Sequence, residues 1–269
     1  MKTIFQLACL LLILILSSCK EPLAEVVPEK ETGKLILKFS HHVNGSELTR
    51  DTMKYTNAAG NEYEINQLLY FISDLILYNS DGTQTLISSD NNIHYVNLDI
   101  PSTLSWNLSD NLPVGSYDSI NFVFGLTQAR NQNGLFVNPP EVDMMWPNIL
   151  GGGFHLMQLN GKWKDTNSNI QNFAFHLGVG QLYHGNVINV DSIYGYVHNN
   201  FTANLPSSSI TIEANKTKEV EIVMNIESWF NTPYNYNFNY WGGAIMQNQA
   251  AMQMIKDNGF DVFSVGEIK

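Results

Sequence analysis

Beyond about residue 34 the chain is built from short runs of β-branched and aromatic residues separated by turn residues, a pattern that predicts strands. The clearest runs are Leu35–Ser40, Leu68–Tyr78, Thr85–Ile87, Ile93–Leu98, Ser119–Gly125, Phe154–Leu159, Asn172–Leu177, Ile210–Glu213 and Glu219–Ile226. Asn79-Ser80-Asp81-Gly82 reads as a turn. Asn160-Gly161, placed before Lys162–Lys164, offers the pair of positive-φ residues that a tight hairpin requires. Gly151-Gly152-Gly153 precedes an apparent strand and reads as a sharp bend. Only Ala244–Asp257 has a helical character, with Lys256 in its last turn and Asn258-Gly259 as a stop. Many strands and a single late helix predict a mainly β fold: a β-sandwich with long loops and one short C-terminal helix.

The pattern at the N-terminus is different. Lys2 leads into an apolar run from Ile4 to Leu16, broken only by Gln6, which ends in Leu16-Ser17-Ser18-Cys19. The run falls short of the roughly 20 residues that span a bilayer. A basic start, a short apolar core and small residues before the cut describe a secretory signal. The terminal Cys resembles a bacterial lipobox, in which the thiol receives diacylglycerol before cleavage, so residues 1–19 are expected to be a lipoprotein signal peptide with Cys19 lipidated. More than one acyl chain anchors firmly. Residues 20–33 are rich in Pro and Glu without apolar period and predict a flexible tether. Residues 34–269 then form one domain, held in the cell envelope by its lipid, with the outer membrane and either its periplasmic or its surface face as the expected location.

Composition narrows the chemistry. The only cysteines are Cys9 and Cys19, which the signal and the lipid account for, so the domain has no thiol for a disulfide, a thiolate zinc site or a cysteine nucleophile. A blue-copper centre is excluded on the same ground. The formal net charge of −11 opposes binding of nucleic acid and anionic lipid. The chain shows no nucleophile elbow, phosphate-binding loop, zinc-protease helix or dinucleotide fingerprint, and the expectation is a non-catalytic domain.

Histidine is the remaining good transition-metal ligand. Alternation along the strands puts His42 on the face of Ser40 and Lys38, His155 between Phe154 and Leu156, and His176 between Phe175 and Leu177, each pointing away from its apolar neighbours. Alternation does not say whether these strands meet. An isolated strand histidine is also at home as an ordinary hydrogen-bonded imidazole. Trp146, in Asp143-Met144-Met145-Trp146-Pro147, reads by default as core, and Met144, Met145 and Met157 read as core filler or soft ligands.

The order of motifs resembles the copper-binding MbnP-like family, named for a methanobactin-associated copper protein and including lipoproteins of the Bacteroidetes type. The resemblance rests on Phe39-Ser-His-His-Val-Asn-Gly45, Tyr55 to Gly60, Gln67-Leu-Leu-Tyr-Phe-Ile-Ser73 and Gly115 to Gly125. It continues through Met145-Trp146-Pro147, Gly153 to Gly161, Phe175-His-Leu-Gly178, Trp229-Phe230 and Asn258 to Ser264. The resemblance implies copper held by two histidines and by kynurenine, an oxidised tryptophan produced by a partner dihaem enzyme related to cytochrome c peroxidase. Carried onto this chain, it implies His176 as ligand, His155 or His42 as its companion, and Trp146 as the modified position. The chain departs from the family in one respect: no histidine stands two residues after any of its five tryptophans, so a Trp-x-His pairing is missing. The implied function is capture, storage or delivery of copper. The alternative is a metal-free surface module for glycan or protein, with Tyr194, Tyr196, Tyr234, Tyr236, Tyr240 and Trp241 as an aromatic platform.

Overall fold

A computed structural model describes residues 30–185 and 187–269. The expected signal peptide, Cys19 and most of the expected tether lie outside the described residues. Strand β1 (Thr32–Val43) starts earlier than the expected domain boundary at 34 and alternates strictly between core and outer face. It is one strand of a six-stranded sheet, where it pairs in parallel with β10 (Thr217–Asn225), which in turn pairs antiparallel with β11 (Phe263–Ile268).

The opposing nine-stranded sheet is organised around β2 (Glu62–Asn79), an 18-residue strand buried over most of its length. One edge of β2 carries β3 (Ile93–Asn97). The other carries β4 (Gly115–Phe124), from Ile72 onward, and before it β5 (Met157–Lys164), with β6 (Ile170–Leu177) outside β5. The strand β9 (Phe201–Leu205) extends the sheet beyond β4. A separate two-stranded ribbon joins β7 (Val179–Tyr183) and β8 (Ile193–His198).

The inner faces of the two sheets enclose one apolar core. Leu35, Leu37 and Phe39 of β1 meet Tyr70 and Ile72 of β2, Met157 and Leu159 of β5, and Phe175 and Leu177 of β6. The period-2 patterning is what drives this: each buried large side chain contributes roughly 1.5–3 kcal/mol, and a one-residue slip would turn every one of them outward. A second, smaller core lies on the outer face of the nine-stranded sheet. There the long segment 126–156 folds back over Leu69, Phe71 and Tyr95 and covers them with Leu126, Met144, Phe154 and Leu156. That cover makes the outer face of β5 and β6 a partly dry environment at one end.

Two sequence expectations change. Asn160-Gly161 is not a hairpin: β5 runs straight through it, and the turn to β6 falls at Asp165–Asn169, where Asp165 N–H donates to Asn169 O at 3.0 Å. The glycine is there because strands approach closely, since a Cβ on Gly161 would stand 1.9 Å from Glu64 O. The C-terminal helix is shorter than expected. It is α2 (Gln249–Asn258), N-capped by Asn248, whose side chain accepts from Ala251 N–H, and it follows a four-residue turn of helix, α1 (Phe238–Trp241).

Candidate metal centre

The glycine bend expected at 151–153 builds the first half of the site. All three glycines have positive φ, and the bend returns the chain on itself so that Met145 bridges Phe154 in antiparallel fashion. Trp146 N–H donates to Gly153 O at 2.8 Å, and His155 N–H donates to Met144 O at 2.6 Å. Two asparagines hold this ribbon from the side: the Asn133 side chain accepts from Gly153 N–H, and that of Asn131 accepts from Phe154 N–H. The ribbon thus places Trp146 and His155 side by side, ring centroids 4.7 Å apart at 71°.

Strand β6 supplies the other half. Phe175 and Leu177 face the inner core, so His176 projects from the outer face, toward the second core. Its ring stands 5.0 Å from that of His155, edge to face at 87°. Leu156 N–H donates to Leu177 O at 2.7 Å and ties the two segments together.

The hydrogen bonds fix which nitrogen of each imidazole is free. His155 Nδ1 lies 2.9 Å from Met144 O, and a carbonyl only accepts, so Nδ1 carries the proton and Nε2 is left with a lone pair. That Nε2 is buried without a hydrogen-bond partner. His176 Nε2 lies 3.0 Å from Asn160 Oδ1. The Asn160 amide is turned this way because its Nδ2 donates to Gln67 Oε1 at 2.8 Å. His176 Nε2–H is therefore the donor, and its Nδ1 lone pair is free. Burial lowers the affinity of both rings for protons, bringing the His155 pKa down to about 4 and lowering that of His176. Both imidazoles are neutral at pH 7.

A ring nitrogen fixed by an outer hydrogen bond, with the other nitrogen bare, is how histidine is prepared for a metal. Two bonds of about 2 Å each require donor nitrogens no more than about 4 Å apart, and the ring centroids stand 5.0 Å apart. The donor set selects the ion. Among the described residues no group of three or more His, Cys, Asp and Glu converges anywhere. A pair of neutral imidazoles with no carboxylate suits a transition metal that tolerates low coordination, and disfavours calcium or magnesium, which take oxygen ligands.

Trp146 is fully buried, and its Nε1–H donates to Leu150 O at 3.1 Å. Its benzo ring lies over Gly178, where a Cβ would come within 2.5 Å of Cε3 and Cζ3.

Of the residues singled out from sequence, His155, His176 and Trp146 meet. His42 does not: it belongs to the opposite sheet, pairs with Asn225 and Glu47, and alternation directs it to that sheet's outer face beside Glu221. Its neighbour His41 turns inward and bonds Tyr70 Oη at 3.0 Å. Met144 and Met157 are core residues, while Met145 is half exposed. The expected aromatic platform is divided. Tyr236 is buried, Tyr194 and Tyr196 sit on β8, and only Tyr240 and Trp241 adjoin, at 5.1 Å. Asn160 and Gln67 were invisible as site residues, although both lie on the polar face of their strands, opposite one another in register.

The MbnP family model matches residues 32–248. No curated protein matches the sequence. Among solved structures, MbnP from Methylosinus trichosporium is similar over 88% of this chain and 99% of that chain, with a TM-score of 0.52 at 12% identity. At that identity the likeness is one of fold. The family match spans most of the sequence and the fold agrees with it, and the chain belongs to the MbnP family.

Proposed function

We propose that this chain is an exported, lipid-anchored domain that binds copper through His155 Nε2 and His176 Nδ1 for capture, storage or delivery. The observation that carries the reading is the buried, unpartnered Nε2 of His155 beside a second imidazole whose free nitrogen is also fixed by its neighbour. A buried polar atom left without a partner costs roughly 1–3 kcal/mol, and a metal ion relieves that cost. Copper fits the donor set because it stands near the top of the divalent affinity order and, when cuprous, accepts few ligands. The kynurenine implied by the family resemblance would fall at Trp146, the indole packed against His155. A dihaem peroxidase-type enzyme is the corresponding partner. The lipid anchor rests on the apolar run ending at Cys19. The role is binding, not catalysis.

The test is metal analysis of protein matured in its native host, with intact mass to read the state of Trp146. Copper retained through mild chelation in the wild type, and lost in His176→Ala, is the expected result. Copper-free protein from copper-replete cells would remove the reading.

A further inference from the structure

At the far end of the β5–β6 hairpin, roughly 17 Å along the strand from His176, lies a groove that the copper reading does not use. It has a volume of about 640 Å³ and runs between the Asp165–Asn172 side of the hairpin and the segment from Phe238 to Gly243. Trp163 forms part of its lining and stacks on Phe238 at 5.2 Å and 17°. Although Trp163 is only 6% exposed, its Nε1–H is buried with no hydrogen-bond acceptor. Buried indole N–H groups normally have one. On the rim, Tyr240 is 78% exposed and stands edge-on to the partly exposed Trp241.

Apart from Asp165, the polar lining is neutral. Its one carboxylate, Asp165, is already engaged by the backbone N–H groups of Asn167 and Asn169 and by the side-chain amides of Asn169 and Gln171. No lysine or arginine lines the groove. What remains are carboxamides: that of Asn172, which no described residue engages, the Gln171 oxygen, and the nitrogen of Asn239, whose oxygen accepts from Thr166 N–H. An anionic ligand would find no counter-charge, and a cation would find no free carboxylate. Neutral hydroxyl groups, which both donate and accept, match carboxamides, and the C–H face of a sugar ring matches an exposed aromatic face.

We infer that this groove binds a neutral oligosaccharide, with one sugar ring against Tyr240 and Trp241 and its hydroxyls on Asn172 and Asn239. The site stands independently of the copper centre.

The experiment is calorimetric titration of the metal-free full chain with neutral cello-, xylo-, manno-, malto- and chito-oligosaccharides of about three to six units, with tryptophan fluorescence as a second readout. At least one sugar is expected to bind saturably, at least tenfold more weakly to Tyr240→Ala and to Trp241→Ala, and unchanged to His176→Ala. Three results would overturn the inference: no heat or fluorescence change with any sugar of the panel, binding that survives both rim substitutions, or saturable binding of a neutral extended peptide where every sugar fails.

Discussion

His155 and His176 stand edge to face with ring centroids 5.0 Å apart, one delivered by a glycine-bent ribbon and the other by a strand of the sheet beneath it. Neither ring is free to turn, because Met144 O holds one and Asn160 Oδ1 the other. The pair is preorganised, so little conformational freedom is left to lose when a ligand binds. Replacing either histidine with alanine should weaken cuprous-ion affinity by roughly 100-fold or more, the upper end of what supporting residues contribute. Replacing both should add little beyond that, because one imidazole alone cannot hold the ion. Competition against a colorimetric cuprous chelator measures both, and equal affinity in the single variants and wild type would contradict the assignment.

Asn160 acts through His176 and touches no ion itself. Asn160→Leu removes the acceptor that fixes the tautomer, and copper affinity should fall about 10–100-fold. Asn160→Asp keeps an acceptor oxygen at that position and should restore most of it. A purely structural role for Asn160 would instead appear as a loss of thermal stability with affinity unchanged.

His41 sets a pH dependence that metal does not enter. Burial among core residues, with His42 adding to it, brings its pKa from near 6.5 down to about 4. Between those values the unfolded chain holds a proton that the folded chain refuses. Stability therefore rises with pH across this window, is complete above about 6.5 and is lost as pH falls toward 4. The difference amounts to roughly 3 kcal/mol. Denaturant titrations between pH 7 and 4 should show this fall, and His41→Gln, which keeps an acceptor for the Tyr70 hydroxyl, should flatten it. The slope that persists belongs to His155, whose pKa burial also brings to about 4, together with His94, His176 and His198, which burial lowers as well.

Gly178 tests the packing of Trp146. A methyl group there would come within 2.5 Å of the indole, and overpacking of this kind typically costs about 1–3 kcal/mol. Gly178→Ala should lower the melting temperature and, because the displaced indole leans on His155, also reduce copper affinity. A variant that loses stability with affinity intact would show that Trp146 does not support the metal pair.

Much of the β-sandwich was legible along the chain because its signal is local. A strand with one face on a core must alternate, and Leu35, Leu37 and Phe39 do so, as do Phe173, Phe175 and Leu177. The outward directions of His42 and His176 follow from the same rule. Asn160-Gly161 shows where a local signal misleads. The dipeptide favours a turn, yet Gly161 is needed for strand contact and Asn160 for its hydrogen bond to His176.

What the amino-acid sequence determined by itself was the mainly β architecture, the absence of thiols in residues 30–269 and the short list of imidazoles able to bind metal. Which imidazoles meet was decided only in three dimensions. The assignment of β1 to one sheet and of β5 and β6 to the other sends His42 to the opposite outer face of the sandwich, while the return of segment 126–156 over β2 brings His155 onto His176. Strand alternation specifies the direction of a side chain but not its neighbour across the sheet. Pairing between segments distant in sequence is set by the summed burial of both cores, which no local window contains.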